Sequence, residues 1–471
     1  MWNPPQNRKL TNVEAFLWSL GAIASFHLAY SVQQFSIAIL LFLVCLFQLR
    51  HLNSARKAFY VGLAIGFALY APHLSFFWTI FKGAAIALWL VVAFWIALFL
   101  LLATNCTKRF GTKPAALLVP FLWLGLEFFR SELYYLRFSW MNIGFAFQSN
   151  FMSLFGFLGV YGFGFLLACI AVIATQLRLR TGMILLAAIA LPIAYLENTP
   201  RPSTQPTQQI TVAGTQMEFP DESLVIKALD RLAADYPTAK LLILSEYTFL
   251  GPVPEDVKDW CRVNERYLVV GGKQPYGSSY FNTAFVVGPT GDIVFTQGKS
   301  VPIQFFDDGL PATEQKLWDS PWGKIGICVC YDLSYRRVVD GLIRQGAQAI
   351  IVPTMDMVEW GERQHRLHAR VAPMRAAEYN VPLYRVCSSG ISQFVAPGGV
   401  VTASAPFPGE DESLAGALQL QAPGRLPLDH WLAPFSVGVT ILTIFGLLVS
   451  VLRKRKELRK ELLQTEPAAS V

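Results

Sequence analysis

The chain has 471 residues, of which 53% are hydrophobic and only 15% are charged, and this composition excludes an ordinary soluble protein. A formal net charge of +7 would suit a nucleic-acid partner, but the basic residues stand between apolar segments instead of forming one basic stretch. The positive charge therefore indicates membrane topology, and no nucleic-acid partner is expected.

Apolar residues crowd into 10–196 and 432–452, and a helix needs about 20 mostly apolar residues to cross a bilayer. Eight spans are predicted, near 10–30, 34–49, 58–80, 84–104, 114–129, 153–177, 182–196 and 432–452. We read the first as a retained span and not as a cleaved signal peptide. The predicted division is a transmembrane helical bundle at 1–199, an extracytoplasmic domain at 200–430, and a final transmembrane helix with a basic cytoplasmic tail at 431–471.

The orientation follows from the basic clusters, which lie near residues 8–9, 50–57, 108–113, 178–180 and 453–456. If the N-terminus is cytoplasmic, eight spans place all five clusters on the cytoplasmic side, as the positive-inside rule requires. Lys82, Arg130 and Arg137 are minor exceptions. Glu127, Arg130 and Glu132 lie at a predicted membrane boundary, where they serve either as an interfacial anchor or as a substrate contact.

Residues 200–430 alternate short apolar runs with amphipathic patterns, after a polar, Pro-rich linker at 197–209. This alternation predicts an α/β layered domain. The predicted strands are 210–213, 241–244, 267–270, 283–287, 324–330 and 349–352, and the predicted helices are 221–236, 335–346 and 362–379.

Three polar residues follow predicted strands, namely Glu246, Lys299 and Cys330. A thiol that attacks a carbonyl needs a base, and the developing oxyanion needs positive charge or N–H donors. Glu246 suits the base, Lys299 the electrostatic stabiliser that would also lower the thiol's pKa, and the backbone N–H of Tyr331 a second donor. Taken singly, each residue fits equally a solvated loop or a core position, so only the ordered set carries the interpretation.

The motifs LLILSEY, GKSVP and ICVCYD contain these three residues, and the segments 127–148 and 361–401 accompany them. On these motifs, nearly the whole chain resembles the bacterial apolipoprotein N-acyltransferases, a membrane branch of the nitrilase superfamily. The resemblance implies an αββα sandwich on a membrane bundle and a catalytic Glu–Lys–Cys triad at Glu246, Lys299 and Cys330. It also implies transfer of a phospholipid acyl chain, through a cysteine thioester, to the N-terminal amine of a diacylglyceryl lipoprotein in the bacterial inner membrane, without a cofactor.

The sequence departs from the family at a supporting glutamate, for which Asp307 is the candidate substitute, and at Asp332, where the acyltransferases usually have glutamate. Two alternatives therefore stay open: a membrane-tethered amidase or hydrolase, and an inactive scaffold. Cys328 is interpreted as a core residue. His365 and His368 lie one helical turn apart without a matching ligand set, so no metal is predicted.

Overall fold

The computed structural model describes residues 9–147, 152–176 and 208–465. The N-terminal part of this described chain is helical. Its helices are α1 (Asn12–Ser31), α2 (Ala38–Gln48), α3 (Ala55–His73), α4 (Phe76–Phe81), α5 (Ala84–Phe110), α6 (Thr112–Phe128) and α7 (Met152–Gln176).

Five helical stretches among the described residues are long and apolar enough to cross a membrane: Asn12–Ser31, Ala84–Phe110, Thr112–Leu133, Ser153–Gln176 and Asp429–Glu457. The predicted second span corresponds to α2, which has 11 residues, and the third is divided between α3 and α4. The predicted span at 182–196 and linker residues 197–207 lie outside the described residues. Several apolar helices are therefore present, and the count of eight stays a prediction.

Small residues allow a close helix contact in this region, between α3 and α5. A Cβ atom added at Gly62 would lie 2.7 Å from Cα of Ala97, and one added at Gly66 would lie 2.7 Å from Cα of Ala93. Apolar helices in lipid gain little from hydrophobic burial against each other, so close backbone packing of this kind holds them together.

The second part contains twelve strands in two six-stranded sheets. The first sheet has the order β12-β1-β2-β3-β4-β5, with β1 (Gln208–Thr215), β2 (Leu241–Ile243), β3 (Tyr267–Tyr276), β4 (Ser279–Val287), β5 (Ile293–Gly298) and β12 (Ser413–Leu420). The second has the order β11-β10-β9-β8-β7-β6, with β6 (Leu317–Ser320), β7 (Gly323–Ile327), β8 (Ala349–Thr354), β9 (Leu383–Cys387), β10 (Gln393–Val395) and β11 (Val401–Ser404). All six predicted strands are present.

Helices cover the outer faces of both sheets. They are α8 (Glu222–Asp235), α9 (Glu255–Asn264), α10 (Arg336–Arg344), α11 (Glu362–Ala369) and α12 (Val371–Tyr379), and α13 (Asp429–Thr465) follows. Leu242 and Leu268 pack with α8 and α9, whereas Leu241 and Val269 face the second sheet, because strand side chains alternate between faces. The α/β layering is therefore confirmed, and the predicted helix 362–379 consists of two helices divided at Arg370.

Helix α12 joins the α/β domain to the apolar helices. It packs against β9 and β10 on one side and against α7 on the other. The carboxylate of Glu378 in α12 accepts a 3.0 Å hydrogen bond from the backbone N–H of Val160 in α7. That N–H is available because α7 is interrupted at Gly159, whose φ of 77° is not helical. The junction therefore has a polar contact where the helix ladder is broken.

Candidate active site

Glu246 and Lys299 follow strands of the first sheet, and their side chains meet in the interior of the α/β domain. Glu246 comes three residues after β2, Lys299 directly follows β5, and both side chains are 1% exposed. Nζ of Lys299 donates to Oε1 of Glu246 at 2.8 Å. The same Oε1 accepts from Nδ2 of Asn282 at 2.6 Å, and Oε2 accepts from the backbone N–H of Met355 at 2.7 Å. Both carboxylate oxygens of Glu246 are thus engaged, which fixes the side chain.

The second carboxylate at Lys299 belongs to Asp308 and not to Asp307. Oδ2 of Asp308 lies 2.7 Å from Nζ of Lys299, and Oδ1 accepts from Asn282 and from the hydroxyl of Tyr247. Asp307 contributes its backbone carbonyl, which accepts a 2.6 Å hydrogen bond from the hydroxyl of Tyr280. The prediction that Asp307 replaces the supporting glutamate was therefore wrong by one position. The loop between the strands has no periodicity from which the direction of a side chain could be predicted.

Cys330 begins a short 3₁₀ turn, Cys330–Ser334, and it lies three residues after the end of β7. Its φ of 51° lies in the left-handed region, a strain of about 1–3 kcal/mol for a residue with a side chain. The predicted strand 324–330 is thus shorter than expected, and Cys328 and Cys330 do not lie on one strand. Cys328 is fully buried, as predicted, and its N–H donates to the carbonyl of Ile351.

Asp332 links the cysteine turn to the segment after Lys299. Its carboxylate accepts hydrogen bonds from the backbone N–H groups of Ser300 at 3.0 Å and Val301 at 2.7 Å. Tyr331, the predicted oxyanion residue, is buried beside Cys330, and its ring makes an edge contact with Trp140. The structure therefore brings together Glu246, Lys299 and the cysteine turn with both neighbours that the sequence singled out.

Burial and neighbouring charges favour the protonated thiol form of Cys330. Burial, reinforced by Glu246, raises the pKa of Cys330 well above its usual range, although Lys299 acts in the opposite direction. Lys299 thus lowers the pKa of the thiol, as predicted, but burial and Glu246 outweigh it. Burial also raises the pKa of Glu246, against Lys299. Burial alone would lower the pKa of Lys299, but Asp308 and Glu246 outweigh it and raise the pKa, so the ammonium is permanent.

An apolar cavity opens at Cys330 between the two parts of the chain. Residues from α4, α5, the 136–140 segment and the α/β domain form its wall: Phe76, Phe77, Ile80, Phe81, Leu88, Val91, Val92, Leu136, Arg137, Phe138, Trp140, Ile303, Gln304, Phe305, Phe306, Cys330, Tyr331, Asp356, Trp360, Gln364 and His368. Phe305 and Phe306 both contact the ring of Phe81. A cysteine at an apolar wall suits a substrate with a hydrocarbon portion.

A second buried cluster, which the sequence analysis missed, lies on the same cavity. Oδ1 of Asp356 lies 2.8 Å from Nδ1 of His368, and Oδ2 lies 2.5 Å from Nη2 of Arg385. Burial alone would raise the pKa of Asp356, but His368 and Arg385 outweigh it and lower the pKa below the usual range. Asp356 lies two residues after the end of the buried strand β8. A polar residue shortly after a buried strand is the same sequence feature that identified Glu246 after β2.

The charged residues at the predicted membrane boundary are buried and not exposed anchors, and Glu132 contacts the α/β domain. Oε1 of Glu132 accepts from the backbone N–H of Arg336 at 3.1 Å and from the hydroxyl of Tyr161 at 2.9 Å. Arg130 donates to Oδ1 of Asn142. Among the described residues, no group of three or more His, Cys, Asp or Glu side chains could hold a metal ion.

Comparisons with known proteins agree with this architecture. Residues 21–173 match the family described as apolipoprotein N-acyltransferase N-terminal domain, and residues 226–425 match the carbon-nitrogen hydrolase family. An apolipoprotein N-acyltransferase from Geobacter metallireducens is 22% identical over 414 residues, which cover 75% of this chain and 79% of that protein.

Two further relatives match parts of the chain. A formamidase from Bacillus thuringiensis is 26% identical over 153 residues, 27% of this chain and 45% of the formamidase. A solved structure of a nitrilase-superfamily protein from Saccharomyces cerevisiae has 21% identity and a TM-score of 0.39, and the match covers 45% of this chain and 91% of that one.

The two-sheet domain and its family match define a carbon-nitrogen hydrolase of the nitrilase superfamily, preceded by apolar helices. The helical part carries a family match of its own, and one relative spans both parts. The chain belongs to the apolipoprotein N-acyltransferase family.

Proposed function

We propose that this protein transfers an acyl chain from a phospholipid to the N-terminal amine of a diacylglyceryl-modified lipoprotein, through a thioester on Cys330. The family supports the overall activity, and the apolar cavity at Cys330 is the single observation that carries the proposal. Helices α4 and α5 supply much of the cavity wall, so a hydrocarbon chain from the membrane reaches the thiol without crossing water.

In the first half-reaction, Glu246 accepts the proton of the Cys330 thiol as sulfur attacks the ester carbonyl carbon. Met355 links the two groups, because its carbonyl accepts from Sγ of Cys330 at 3.6 Å and its N–H donates to Glu246 at 2.7 Å. Lys299, with the backbone N–H groups of the cysteine turn, stabilises the developing oxyanion. The ester C–O bond then breaks, the lysophospholipid oxygen takes the proton from Glu246, and the acyl chain remains on sulfur.

Asp308 and Asp332 are positioning residues in this proposal. Asp308 holds Nζ of Lys299 together with Glu246, and Asp332 fixes the backbone after Lys299 relative to the cysteine turn. The cation then faces the reacting carbonyl without an entropic cost at each turnover. No cofactor is required, because the thiol, the carboxylate and the ammonium supply the nucleophile, the base and the charge.

Mass spectrometry of the purified protein after incubation with phosphatidylethanolamine tests this proposal. We expect one acyl mass that hydroxylamine removes, in the wild type but not in Cys330→Ala. Cys328→Ala is the matched control, since Cys328 is fully buried two residues away and should leave the adduct unchanged. No adduct on a folded wild-type protein would contradict the phospholipid reaction.

The acceptor distinguishes the transferase from the alternatives. With a diacylglyceryl peptide that carries a free α-amine, a transferase forms an N-acyl peptide, whereas a hydrolase releases free fatty acid. An inactive scaffold forms neither product and no adduct.

The proposed setting is the bacterial inner membrane, with a membrane bundle at 1–199, the catalytic domain at 200–430 on the periplasmic side, and a final span and cytoplasmic tail at 431–471. The apolar helices and the basic clusters between them support this topology. Protease added outside spheroplasts should cleave within 200–430 and spare a tag at the C-terminus.

A further inference from the structure

The cavity wall beside Cys330 carries polar side chains that the first half-reaction does not use. They are Asp356, Gln364 and His368, and each is at most 2% exposed. His368 and Gln364 both belong to α11, and both contact the carboxylate of Asp356. A buried polar group in an apolar wall costs free energy unless it has a partner, so these atoms need an explanation.

Nδ1 of His368 has two charged neighbours, since it lies 2.8 Å from Oδ1 of Asp356 and 2.9 Å from Nη2 of Arg385. Nη2 of Arg385 also donates to Oδ2 of Asp356, and an ionised carboxylate can only accept, so we assign a hydrogen to Nδ1 that faces the carboxylate. Nε2 then carries a lone pair, and it has no hydrogen-bond partner among the described residues. Burial lowers the pKa of His368 and keeps the imidazole neutral. The ring is also fixed in orientation, because it stacks on Trp140 at 4.7 Å between centroids.

Gln364 presents a second acceptor for the same reason. Its Nε2 donates to Oδ1 of Asp356 at 2.9 Å, because a carboxylate can only accept. Oε1 therefore points away from Asp356, and it too lacks a partner within the described chain. Two fixed, buried acceptors on one cavity wall match a ligand group with several N–H donors. A primary amine or its ammonium form is such a group.

We infer that His368 and Gln364 bind the acceptor amine, and that Nε2 of His368 takes its proton as the amine attacks the acyl-enzyme; this rests on the proposed thioester at Cys330. The N–C bond forms and the C–S bond breaks. The amide keeps the acyl chain, and the proton on Nε2 returns to the Cys330 thiolate. The free thiol and the neutral imidazole are thereby restored, so the step balances.

Position distinguishes His368 from Glu246, the base of the first half-reaction. Among the described residues, Glu246 is not part of the cavity lining. His368 instead lies on the wall that an incoming molecule meets. Asp356 orients the imidazole and stabilises the imidazolium, as a carboxylate does in other acyl-transfer sites.

The test separates the two half-reactions in the full-length protein. Acyl-enzyme is first formed with phosphatidylethanolamine, and a dipalmitoylglyceryl-cysteinyl peptide with a free α-amine is then added. His368→Asn keeps an N–H near Nδ1 for Asp356 but removes the Nε2 acceptor. We expect thioester formation within about threefold of wild type and aminolysis at least about 100-fold slower, the range for a lost general base. Gln364→Met should mainly raise KM for the peptide.

Two controls exclude a structural explanation. Hydroxylamine, which attacks thioesters without a protein base, should release the acyl chain equally from wild type and His368→Asn. His365→Asn changes the other buried histidine of α11, whose Nε2 contacts the carbonyl of Met357, and should leave aminolysis unchanged. Normal aminolysis by His368→Asn, or an equal loss in both half-reactions, overturns the inference. Absence of any thioester in the wild type overturns the proposed function as well.

Discussion

Two buried charge clusters lie near Cys330, and they differ in how completely their atoms are paired. The lysine cluster consists of Glu246, Lys299 and Asp308, and all four of its carboxylate oxygens accept hydrogen bonds. The arginine cluster consists of Asp356, His368 and Arg385, and it leaves Nε2 of His368 without a partner among the described residues. A fully paired cluster holds a geometry, whereas an unpaired acceptor is free to bind a ligand.

The largest expected effect is on the lysine cluster. Lys299→Met removes the cation that Glu246 and Asp308 share. These two carboxylates are buried, with 1% and 5% of their side chains exposed. Removal of one partner from a buried ion pair costs about 3–5 kcal/mol of the free energy of unfolding. We therefore expect a clearly lower thermal unfolding midpoint in detergent and no acyl-enzyme.

Lys316→Met is the matched control for that substitution. Lys316 pairs with Glu314 at 3.3 Å, but the two side chains are 65% and 71% exposed. Exposed ion pairs contribute about 0–1 kcal/mol, so neither the midpoint nor the acyl-enzyme should change. A Lys299→Met protein that unfolds like wild type would mean that the two carboxylates share a proton and do not depend on the cation.

Two glycines allow the clusters to be perturbed separately. A Cβ at Gly271 would lie 2.5 Å from Cα of Glu246, a backbone contact that cannot relax locally. A Cβ at Gly390 would lie 2.9 Å from Cβ and Oδ2 of Asp356. Such overpacking costs about 1–3 kcal/mol. We expect Gly271→Ala to abolish most thioester formation, and Gly390→Ala to slow aminolysis while thioester formation persists.

Gly251→Ala serves as the control, because a Cβ there meets nothing within 4 Å. Rates of both half-reactions, measured by mass spectrometry of quenched samples, check the prediction. If Gly271→Ala and Gly390→Ala impair the same half-reaction, the two clusters do not act separately.

The sequence identified the lysine cluster better than the arginine cluster, for a physical reason. Glu246 follows the apolar strand β2, and a polar residue at such an end is visible in a periodic pattern, whereas Lys299 follows β5, which was not among the predicted strands. Asn282 lies inside a strand, and Arg385 pairs with Asp356 across 29 positions, so neither contact has a local signal.

The apolar helices also have features that the sequence pattern alone did not predict. Hydropathy located the apolar segments, but α2 has only 11 residues and α4 only six, because helix ends depend on packing as well as on composition. Backbone turns were also hidden. The left-handed φ of Cys330 removes it from the strand that its neighbours Ile327 and Cys328 suggested.

The smallest expected effect concerns a carboxylate without a cation partner, Asp332, compared with Asp356. Burial raises the pKa of Asp332 to about 6, because backbone N–H groups and Lys299 only partly offset it. The pKa of Asp356 is lowered instead, because His368 and Arg385 outweigh burial. Pairing with cations, and not burial alone, thus decides the direction.

The variants of the two carboxylates should consequently respond differently to pH. The stability that Asp332 contributes is present below its ordinary pKa of 3.8 and is lost as pH rises through about 6. Asp332→Asn keeps one acceptor for Ser300 and Val301. Its free energy of unfolding should therefore rise relative to that of wild type by about 1 kcal/mol between pH 5 and pH 7.5.

Asp356→Asn should show a constant deficit over the same range, since the stability from a lowered pKa is lost only as pH falls below the ordinary value. Chemical denaturation of both variants and wild type at the two pH values measures this difference. If the free energy of unfolding of Asp332→Asn instead falls relative to that of wild type as pH rises, the Asp332 carboxylate of the wild type is stabilised in its ionised form. Lys299 would then act on the cysteine turn as strongly as it acts on Glu246 and Asp308, and the lysine cluster would extend to Asp332.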